Sequence, residues 1–215
     1  MNQLDWKINP KDILNAGPVM PVMVIKQLED AVPLAQALVA GGIRVLEITL
    51  RTPVALEAIK AISTHVKDAI VGAGTILTPI QLAAAEEAGA VFAISPGLTP
   101  KLLEAACKSR IALIPGISTL SELMMGMEYG LDHFKFFPAS AAGGVNMLKG
   151  IAGPIPAATF CPTGGISADN YNEYLKLPNV ACVGGSWLAP DEAVSTKNWQ
   201  KITELAKTAI ANAVK

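Results

Sequence analysis

The stretch 41-GGIRVLEITLRTP-53 contains the end of one predicted helix, a complete predicted strand and the start of the next helix. Gly41 and Gly42 are typical of a helix C-terminus, because glycine adopts the left-handed conformation there without steric cost. Val45–Leu50 is an apolar, strand-like run, and Thr52-Pro53 offers an N-cap hydroxyl followed by proline at the first helical position. The stretch therefore predicts one helix–strand–helix junction of an α/β fold.

The same alternation recurs along the whole chain. Apolar segments predict eight strands, at Val19–Ile25, Val45–Leu50, Ile70–Thr75, Val91–Ser95, Ala112–Pro115, His133–Phe137, Thr159–Thr163 and Val180–Gly184. Because these strands are nearly continuous apolar runs, they predict a parallel sheet whose outer face is covered by helices.

Helix boundary signals lie between the predicted strands. Thr78-Pro79 and Thr99-Pro100 repeat the pattern of Thr52-Pro53, and Thr119 with Glu122 forms a capping box. A further helix is predicted to open at Ser167, with Asp169 in its first turn. Gly89 is predicted to end a helix just before a strand.

Eight such units predict an α/β fold of the (β/α)8 TIM-barrel type, as a single domain over residues 1–215. A short extra N-terminal helix is predicted from Asn9-Pro10 to Gly17, ahead of the first strand. The alternative is a doubly wound open sheet, which usually has a glycine-rich first turn. Here that turn is Ile25-Lys26-Gln27, and 71-VGAGTIL-77 has leucine where a dinucleotide fingerprint needs its last glycine.

Composition excludes several classes of function. The formal net charge is −1 without any basic block, so neither nucleic acid nor an anionic membrane surface is an expected partner. We find no signal peptide, and prolines interrupt the uncharged stretch Gly150–Ala168, so no membrane span is expected either. Three cysteines, Cys107, Cys161 and Cys182, cannot all pair, which favours reduced thiols and a cytoplasmic location.

The apolar content bears on assembly. Hydrophobic residues make up 51% of the chain and mean hydropathy is +0.40, so we expect another subunit to cover part of the surface. His65 and His133 lie far apart and form no metal-ligand pattern, and no Walker A motif is present. We therefore expect neither a metal nor a cofactor.

Strand alternation predicts which polar side chains face the barrel interior. Leu46, Ile48 and Leu50 must face the helices, which turns Glu47 and Arg51 inward. In 133-HFKFFP-138 the same logic turns Lys135 inward with His133 and Phe137. Since barrel active sites lie at the C-terminal ends of strands, these side chains form a candidate site.

The predicted setting of Lys135 points to a chemistry. Burying an unpaired ammonium is costly, whereas a deprotonated amine is a nucleophile that forms Schiff bases with carbonyl groups. Two other interpretations remain open: Glu47 and Lys135 form a structural ion pair, or Lys135 extends its stem across the core while its amine reaches water. His133, Cys161 and Cys182 are predicted to be core residues.

Glycine pairs follow the last two predicted strands, at Thr163-Gly164-Gly165 and at Gly184-Gly185-Ser186. Glycine lets backbone N–H groups approach an anion, and barrels often bind phosphate with these two loops. The implied ligand carries a phosphate at one end and a carbonyl near Lys135. Arg51 offers a bidentate partner for a carboxylate at the other end.

Taken together, these residues resemble the family of class I pyruvate aldolases that act on 2-keto-3-deoxy-6-phosphogluconate (KDPG) and 4-hydroxy-2-oxoglutarate. The matching segments run nearly end to end, at Gly17–Pro21, Gly41–Thr52, Val71–Thr75, Phe92–Gly97, Ile114–Thr119, His133–Ala139, Cys161–Ser167 and Gly184–Leu188. The resemblance implies an Entner–Doudoroff aldolase that is a homotrimer and uses no cofactor, and that releases pyruvate and glyceraldehyde 3-phosphate.

The resemblance also implies roles for individual residues. Lys135 is the Schiff-base lysine and Glu47 the general acid and base, whereas Arg51 and Thr75, with backbone at Gly74, hold the substrate carboxylate. The phosphate or its adjoining chain is contacted by Thr163, Gly164, Gly165, Gly185 and Ser186. Pro96 and Phe137 form an apolar wall.

Four other functions are considered. They are a same-class aldolase specific for the galactonate epimer, another phosphate-binding barrel such as a ribulose-phosphate epimerase or a tryptophan-pathway enzyme, a metal-dependent pyruvate aldolase, and a non-catalytic sugar-acid sensor. Relative specificity constants decide the first, and borohydride trapping of an imine tests the second. Insensitivity to a chelator would argue against the third, and a coupled lactate dehydrogenase assay on KDPG tests the fourth.

Overall fold

All strand pairs in the computed structural model, which describes residues 5–214, are parallel. The strands are β1 Val19–Met23, β2 Val45–Thr49, β3 Ile70–Gly74, β4 Phe92–Ile94, β5 Ala112–Ile114, β6 Gly116–Ile117, β7 His133–Phe136, β8 Thr159–Pro162 and β9 Val183–Gly185. Each of the eight predicted strands is confirmed, with ends that differ by a few residues. The short β6 was not predicted, because it follows β5 directly after Pro115.

Helices connect successive strands, as the alternation predicted. They are α1 Pro10–Leu14, α2 Ala31–Ala40, α3 Ala55–His65, α4 Pro79–Glu87, α5 Pro100–Ala106, α6 Leu120–Glu128, α7 Gly144–Ala152, α8 Tyr171–Leu175, α9 Asp191–Ser195 and α10 Trp199–Ala211, with a 3₁₀ turn at Leu28–Asp30. Within residues 5–214, no helix combines the length and the apolar character that crossing a bilayer requires.

The regular strand ladders form two sheets rather than one continuous cylinder. Their strand orders are β5-β4-β3-β2-β1-β9 and β6-β7-β8. Between β8 and the chain leading into β9, Phe160 N–H donates to Asn179 O (2.8 Å) and Ala181 N–H donates to Phe160 O (3.0 Å). The next donor along β8 would be Pro162, which has no N–H, so this ladder is interrupted. One further parallel bridge joins Thr163 to Gly184.

Proline also separates the two sheets at their other edge. Pro115 divides β5 from β6, and its carbonyl accepts a hydrogen bond from Lys135 N–H (2.9 Å). The parallel α/β fold is therefore confirmed, and the six strands in the order β5-β4-β3-β2-β1-β9 curl into a half-barrel that faces the second sheet.

Most predicted helix boundaries are confirmed. Thr78 and Thr99 each accept a backbone N–H at the start of a helix, and Thr119 with Glu122 forms the complete capping box. The Asn9 side chain caps α1, which is the predicted extra N-terminal helix. Gly89, just after α4, has φ +98°, the left-handed conformation that favours glycine.

Two predicted helix starts are wrong. The Thr52 hydroxyl donates to the carbonyl of Ile25 at 2.7 Å instead of capping a helix, and α3 begins only at Ala55. At the second site, Asn170 accepts the Ser167 N–H through its side-chain oxygen (2.9 Å), so the chain makes a turn before α8 begins. The partner of Thr52 is distant in sequence, whereas the Ser167 hydroxyl accepts the Asp169 N–H (3.3 Å) within the turn itself.

Buried apolar residues form two clusters on opposite faces of the strands. The outer cluster packs the strands against the helices and includes Leu46, Ile48, Phe134, Phe136 and Phe160. The inner cluster lies on the opposite face of the strands, and it consists of Met20, Val45, Phe92, Ile94, Ala112, Ile114, Cys161 and Cys182, with Ile13 and Leu14 of α1. The burial predicted for Cys161 and Cys182 is thereby confirmed.

Candidate active site

Glu47 on β2 and Lys135 on β7 meet inside the fold. The Lys135 Nζ atom lies 3.3 Å from Glu47 Oε1, and only 3% and 1% of the two residues is exposed. Their strand neighbours Leu46, Ile48 and Phe134 pack on the opposite face against the helices. The predicted inward orientation of both charged side chains is therefore confirmed.

Strand pairing fixes the level of Lys135. It pairs with Gly116 of β6 on one side and with Cys161 of β8 on the other. Its Nζ atom also lies 5.1 Å from the centre of the Phe137 ring, so an aromatic face shields the amine. A carboxylate at hydrogen-bond distance can accept a proton from this amine or return one.

His133 is the inward residue one level below Lys135. It is buried, and its Nδ1 atom lies 2.6 Å from Asp132 Oδ1. This position agrees with the prediction of a lower-layer side chain.

Arg51 and Thr75 meet above the pair, beyond the ends of β2 and β3. The Nε–H of Arg51 donates to Thr75 Oγ1 at 3.2 Å, and the rest of the guanidinium is exposed. Thr75 has φ +61°, a left-handed conformation that is costly for a β-branched residue. Such conformations concentrate at ligand sites, and this one turns the Thr75 hydroxyl towards Arg51. Sequence patterns gave no signal for it.

A cavity of about 240 Å³ opens beside Arg51. It brings together seven of the predicted site residues, Arg51, Phe137, Thr163, Gly164, Gly165, Gly185 and Ser186, and is completed by Val22, Ile166 and Gly184. Arg51 is the only charged side chain of this lining. An anion at the glycine end would therefore be held by backbone N–H groups and by the Ser186 hydroxyl.

The glycines of this cavity are required by their surroundings. Gly164 and Gly165 have φ +98° and +75°, which side-chain-bearing residues rarely adopt. A Cβ atom on Gly184 would overlap the Thr163 hydroxyl, and one on Gly185 would overlap the Trp187 ring. Glycine at these two positions therefore makes room for neighbouring side chains, and both glycines line the cavity.

Five predicted site residues lie outside the lining of this cavity, namely the pair Lys135 and Glu47 described above, and Gly74, Thr75 and Pro96. Gly74 is the last residue of β3 and accepts the Leu50 N–H (2.8 Å), and Thr75 follows it. Pro96 is half-buried after β4, where its carbonyl packs on Gly116, the strand partner of Lys135. Gly74 and Pro96 therefore adjoin the pair of charged side chains, whereas Thr75 contacts Arg51 above it.

Val22 is a site residue that the sequence analysis missed. It lines the cavity and pairs in register with Glu47. Alternation along β1 could have identified it, because Met20 and Val22 share the inward face. Over residues 5–214, no three His, Cys, Asp or Glu side chains converge as a metal site would require.

Comparisons with known proteins agree with this geometry. The family model of the KDPG and KHG aldolases matches residues 11–205. A 2-dehydro-3-deoxy-phosphogluconate aldolase from Pseudoalteromonas atlantica is 63% identical over 97% of each chain. A KHG/KDPG aldolase from Escherichia coli K12 is 60% identical over 97% of this chain and 98% of its own.

Solved structures extend the comparison. The KDPG aldolase of Legionella pneumophila, crystallised with pyruvate captured as a covalent carbinolamine intermediate, is 57% identical and has a TM-score of 0.94. That match covers 95% of this chain and 100% of the Legionella chain. A native KDPGal structure is 23% identical with a TM-score of 0.75 over 90% of this chain, a likeness that shows the fold alone.

Proposed function

The chain belongs to the KDPG and KHG aldolase family, and from that premise we propose that it cleaves KDPG reversibly into pyruvate and D-glyceraldehyde 3-phosphate as a class I aldolase. The observation that carries the proposal is the buried pair of Lys135 Nζ and Glu47 Oε1, 3.3 Å apart beside a cavity with an anion-binding end. The same chemistry extends to 4-hydroxy-2-oxoglutarate, which would yield pyruvate and glyoxylate.

Lys135 is the proposed nucleophile. Its neutral amine attacks the 2-keto carbon of KDPG and forms a carbinolamine, and loss of water gives a protonated imine. The imine accepts the electron pair of the C3–C4 bond when that bond breaks. The pyruvate carbinolamine of the Legionella aldolase supports this route.

Glu47 is the proposed proton carrier. Its carboxylate removes the proton of the 4-hydroxyl group, so that the C3–C4 bond breaks, glyceraldehyde 3-phosphate leaves and an enamine of pyruvate remains on Lys135. The carboxylic acid then returns the proton to C3, and water hydrolyses the imine to release pyruvate and regenerate the amine. One carboxylate acting first as base and then as acid suits a reversible reaction.

The two ends of the substrate are held differently in this proposal. Arg51 and Thr75, with the backbone at Gly74, bind the carboxylate next to the reacting carbonyl. Gly164, Gly165, Gly185 and Ser186, with Thr163, surround the phosphate end, while Phe137 and Pro96 form an apolar wall along the chain of the substrate. Fixing both ends orients the C3–C4 bond against the imine.

The proposal includes a closed (β/α)8 barrel formed as a single domain by residues 1–215. Its support is the contact between the two sheets at both edges: the Phe160–Val180 and Thr163–Gly184 bridges join β8 to the β9 segment, and β5 continues into β6 across Pro115.

A homotrimer in the cytoplasm is the proposed assembly and location. Four large apolar side chains, Leu77, Ile80, Leu120 and Met124, are exposed at the starts of α4 and α6, and a subunit contact would bury them. Sedimentation equilibrium of the intact chain tests the trimer, and Ile80→Lys should lower the measured mass.

The decisive experiment combines two assays. Pyruvate release from KDPG is followed by coupling to lactate dehydrogenase, and [¹⁴C]pyruvate is trapped with borohydride before peptide mapping. We expect turnover of KDPG and a label on Lys135, which Lys135→Ala abolishes. A label retained by Lys135→Ala, or turnover of KDPG without trapping, contradicts the assignment. Ratios of kcat/KM for KDPG, its galactonate epimer and 4-hydroxy-2-oxoglutarate then rank the substrates.

A further inference from the structure

Beyond Ile70, strand β3 contributes no side chain to the interior, because its next two inward positions are Gly72 and Gly74. The outward residues Val71 and Ala73 pack against the helices. Side chains of neighbouring strands occupy the space over both glycines. The ring of Phe92 lies over Gly72, and the carboxylate arm of Glu47 lies over Gly74.

The fit of Glu47 over Gly74 is close. A Cβ atom on Gly74 would overlap Glu47 Oε1 and would lie 2.6 Å from its Cγ and 2.8 Å from its Cδ. Glu47 is buried, so its side chain has no solvent into which it could swing. An alanine here would therefore displace the carboxylate from its place 3.3 Å from Lys135 Nζ.

Backbone conformation does not account for this glycine. Gly74 is the last residue of β3 and pairs with Thr49, and it is not among the glycines with positive φ. Glycine within a strand weakens the strand and usually marks a close approach by another group. Here the approaching group is the side chain proposed to carry the proton.

We propose that Gly74 is a positioning residue. Because it has no side chain, it leaves free the space that the Glu47 carboxylate occupies beside Lys135. The inference rests on the acid–base role given to Glu47 under the proposed function. It assigns to Gly74 a steric task that is separate from any contact between its backbone and the substrate carboxylate.

The test measures proton transfer and imine formation separately in Gly74→Ala. Exchange of the methyl protons of pyruvate in D₂O, followed by ¹H NMR, reports proton transfer at C3, and the extent of borohydride trapping reports the imine. Because a displacement of about 1 Å costs on the order of 100-fold in rate, we expect exchange to fall by about that factor while trapping at saturating pyruvate persists. Exchange within about threefold of the wild-type rate overturns the proposal.

Gly72→Ala is the matched control, since it adds the same methyl group to the same face of the same strand. Its Cβ atom meets the Phe92 ring rather than Glu47. We expect it to lower the melting temperature by roughly 5 °C, yet to keep the exchange rate of the folded protein. An equal loss of exchange in Gly72→Ala would mean that any disturbance of β3 suffices, and it also overturns the proposal.

A stability cycle covers the case in which Gly74→Ala folds poorly. The double variant Glu47→Ala/Gly74→Ala should melt within about 2 °C of Glu47→Ala, because the added Cβ then has no Glu47 arm to meet. If Gly74→Ala lowers the melting temperature as much in the Glu47→Ala protein as in wild type, the Glu47 side chain is not what fills the space over Gly74.

Glu47→Gln distinguishes this inference from the proposed function. If Glu47→Gln leaves pyruvate exchange unchanged, the acid–base role itself is wrong and the inference fails with it. If Glu47→Gln abolishes exchange and Gly74→Ala does not, the proposed function stands and the positioning role of Gly74 alone is refuted.

Discussion

The inward faces of the strands form two levels that differ sharply in chemistry. The lower level, towards the N-terminal ends, is apolar and includes Met20, Val45 and Phe92. The level above it holds the ion pair of Glu47 and Lys135, at 3.3 Å and almost fully buried. Burial of the apolar side chains at the lower level stabilises the fold. Burial of the charged pair at the upper level costs free energy, and the proposed reaction is what requires it.

The difference teaches that orientation alone does not identify a functional residue in this fold. Val45 and Glu47 share the inward face of β2, and His133 and Lys135 share that of β7. What separates them is one step of two residues along the strand. Substitutions at the two levels should therefore produce different kinds of loss, in rate above and in stability below.

Lys135→Met should produce the largest effect. It removes the nucleophile and keeps most of the side-chain volume, so we expect kcat/KM for KDPG to fall by roughly 10⁵-fold. It also leaves Glu47 buried without its partner, which should cost about 3–5 kcal/mol of unfolding free energy in urea at pH 7. Lys135→Met/Glu47→Gln should recover most of that stability and none of the activity. Cleavage by the single variant above 1% of wild type contradicts the nucleophile assignment.

Glu47→Gln should come next. The amide keeps the shape of the side chain but cannot accept the proton, so kcat should fall by about 10²–10⁴-fold while substrate binding persists. Stopped-flow single turnovers and borohydride trapping measure the two steps separately. A variant with near wild-type kcat would remove Glu47 from the proton route.

The lower level should respond in stability alone. Met20 is 1% exposed in β1, and Met20→Ala should cost about 3 kcal/mol of unfolding free energy, with Met20→Leu at about 1 kcal/mol as the graded control. The kcat of the folded fraction should stay within about twofold of wild type, because no atom of the reacting pair moves. A loss of kcat in step with stability would mean that the two levels are coupled.

Much of this architecture could be predicted from the sequence because it depends on local pattern. The caps at Thr78, Thr99 and Thr119 follow from residues within one helical turn, and strand alternation was enough to orient Glu47 and Lys135. These signals survive in the fold because the local preference and the tertiary packing agree.

The features that escaped prediction depend on distant partners. The Thr52 hydroxyl is taken by the carbonyl of Ile25, on a different strand connection, and so does not cap α3. The left-handed Thr75 meets Arg51 from the neighbouring strand, and the need for glycine at position 74 arises from the Glu47 arm. Each of these contacts joins residues from different strands or their connections. The local sequence around one residue therefore does not predict it.

Ser186→Ala should have a smaller effect, confined to one end of the cavity. Losing one neutral hydroxyl from the phosphate end should reduce kcat/KM for KDPG by about tenfold and leave 4-hydroxy-2-oxoglutarate, which has no phosphate, nearly unchanged. Thr196→Ala, at an exposed hydroxyl bonded to the Glu192 carbonyl, serves as a surface control. Equal losses for both substrates would remove Ser186 from the phosphate site.

Glu122→Gln should have the smallest effect, outside the barrel interior altogether. Burial alone would raise the pKa of Glu122, but hydrogen bonds from the backbone and hydroxyl groups of Ser118 and Thr119 outweigh it and lower the pKa below the usual 4.5. A group with a lowered folded-state pKa adds stability that is present above its unfolded pKa and is lost as pH falls through the folded value. Because Glu122 is partly exposed and glutamine can still complete the capping box, Glu122→Gln should cost only about 0.5 kcal/mol at pH 7.

That cost should begin to shrink as the pH falls below 4.5, where the unfolded chain takes up the proton, and should vanish once the pH passes below the lowered pKa of the folded state. Urea unfolding of wild type and Glu122→Gln across this range measures it, and kcat at pH 7 should be equal in the two proteins. A difference in stability that is independent of pH would show that the shape of the Glu122 side chain, rather than its charge, holds the start of α6. A change in kcat would show that the cap of a surface helix reaches the reacting pair, against the separation of levels described above.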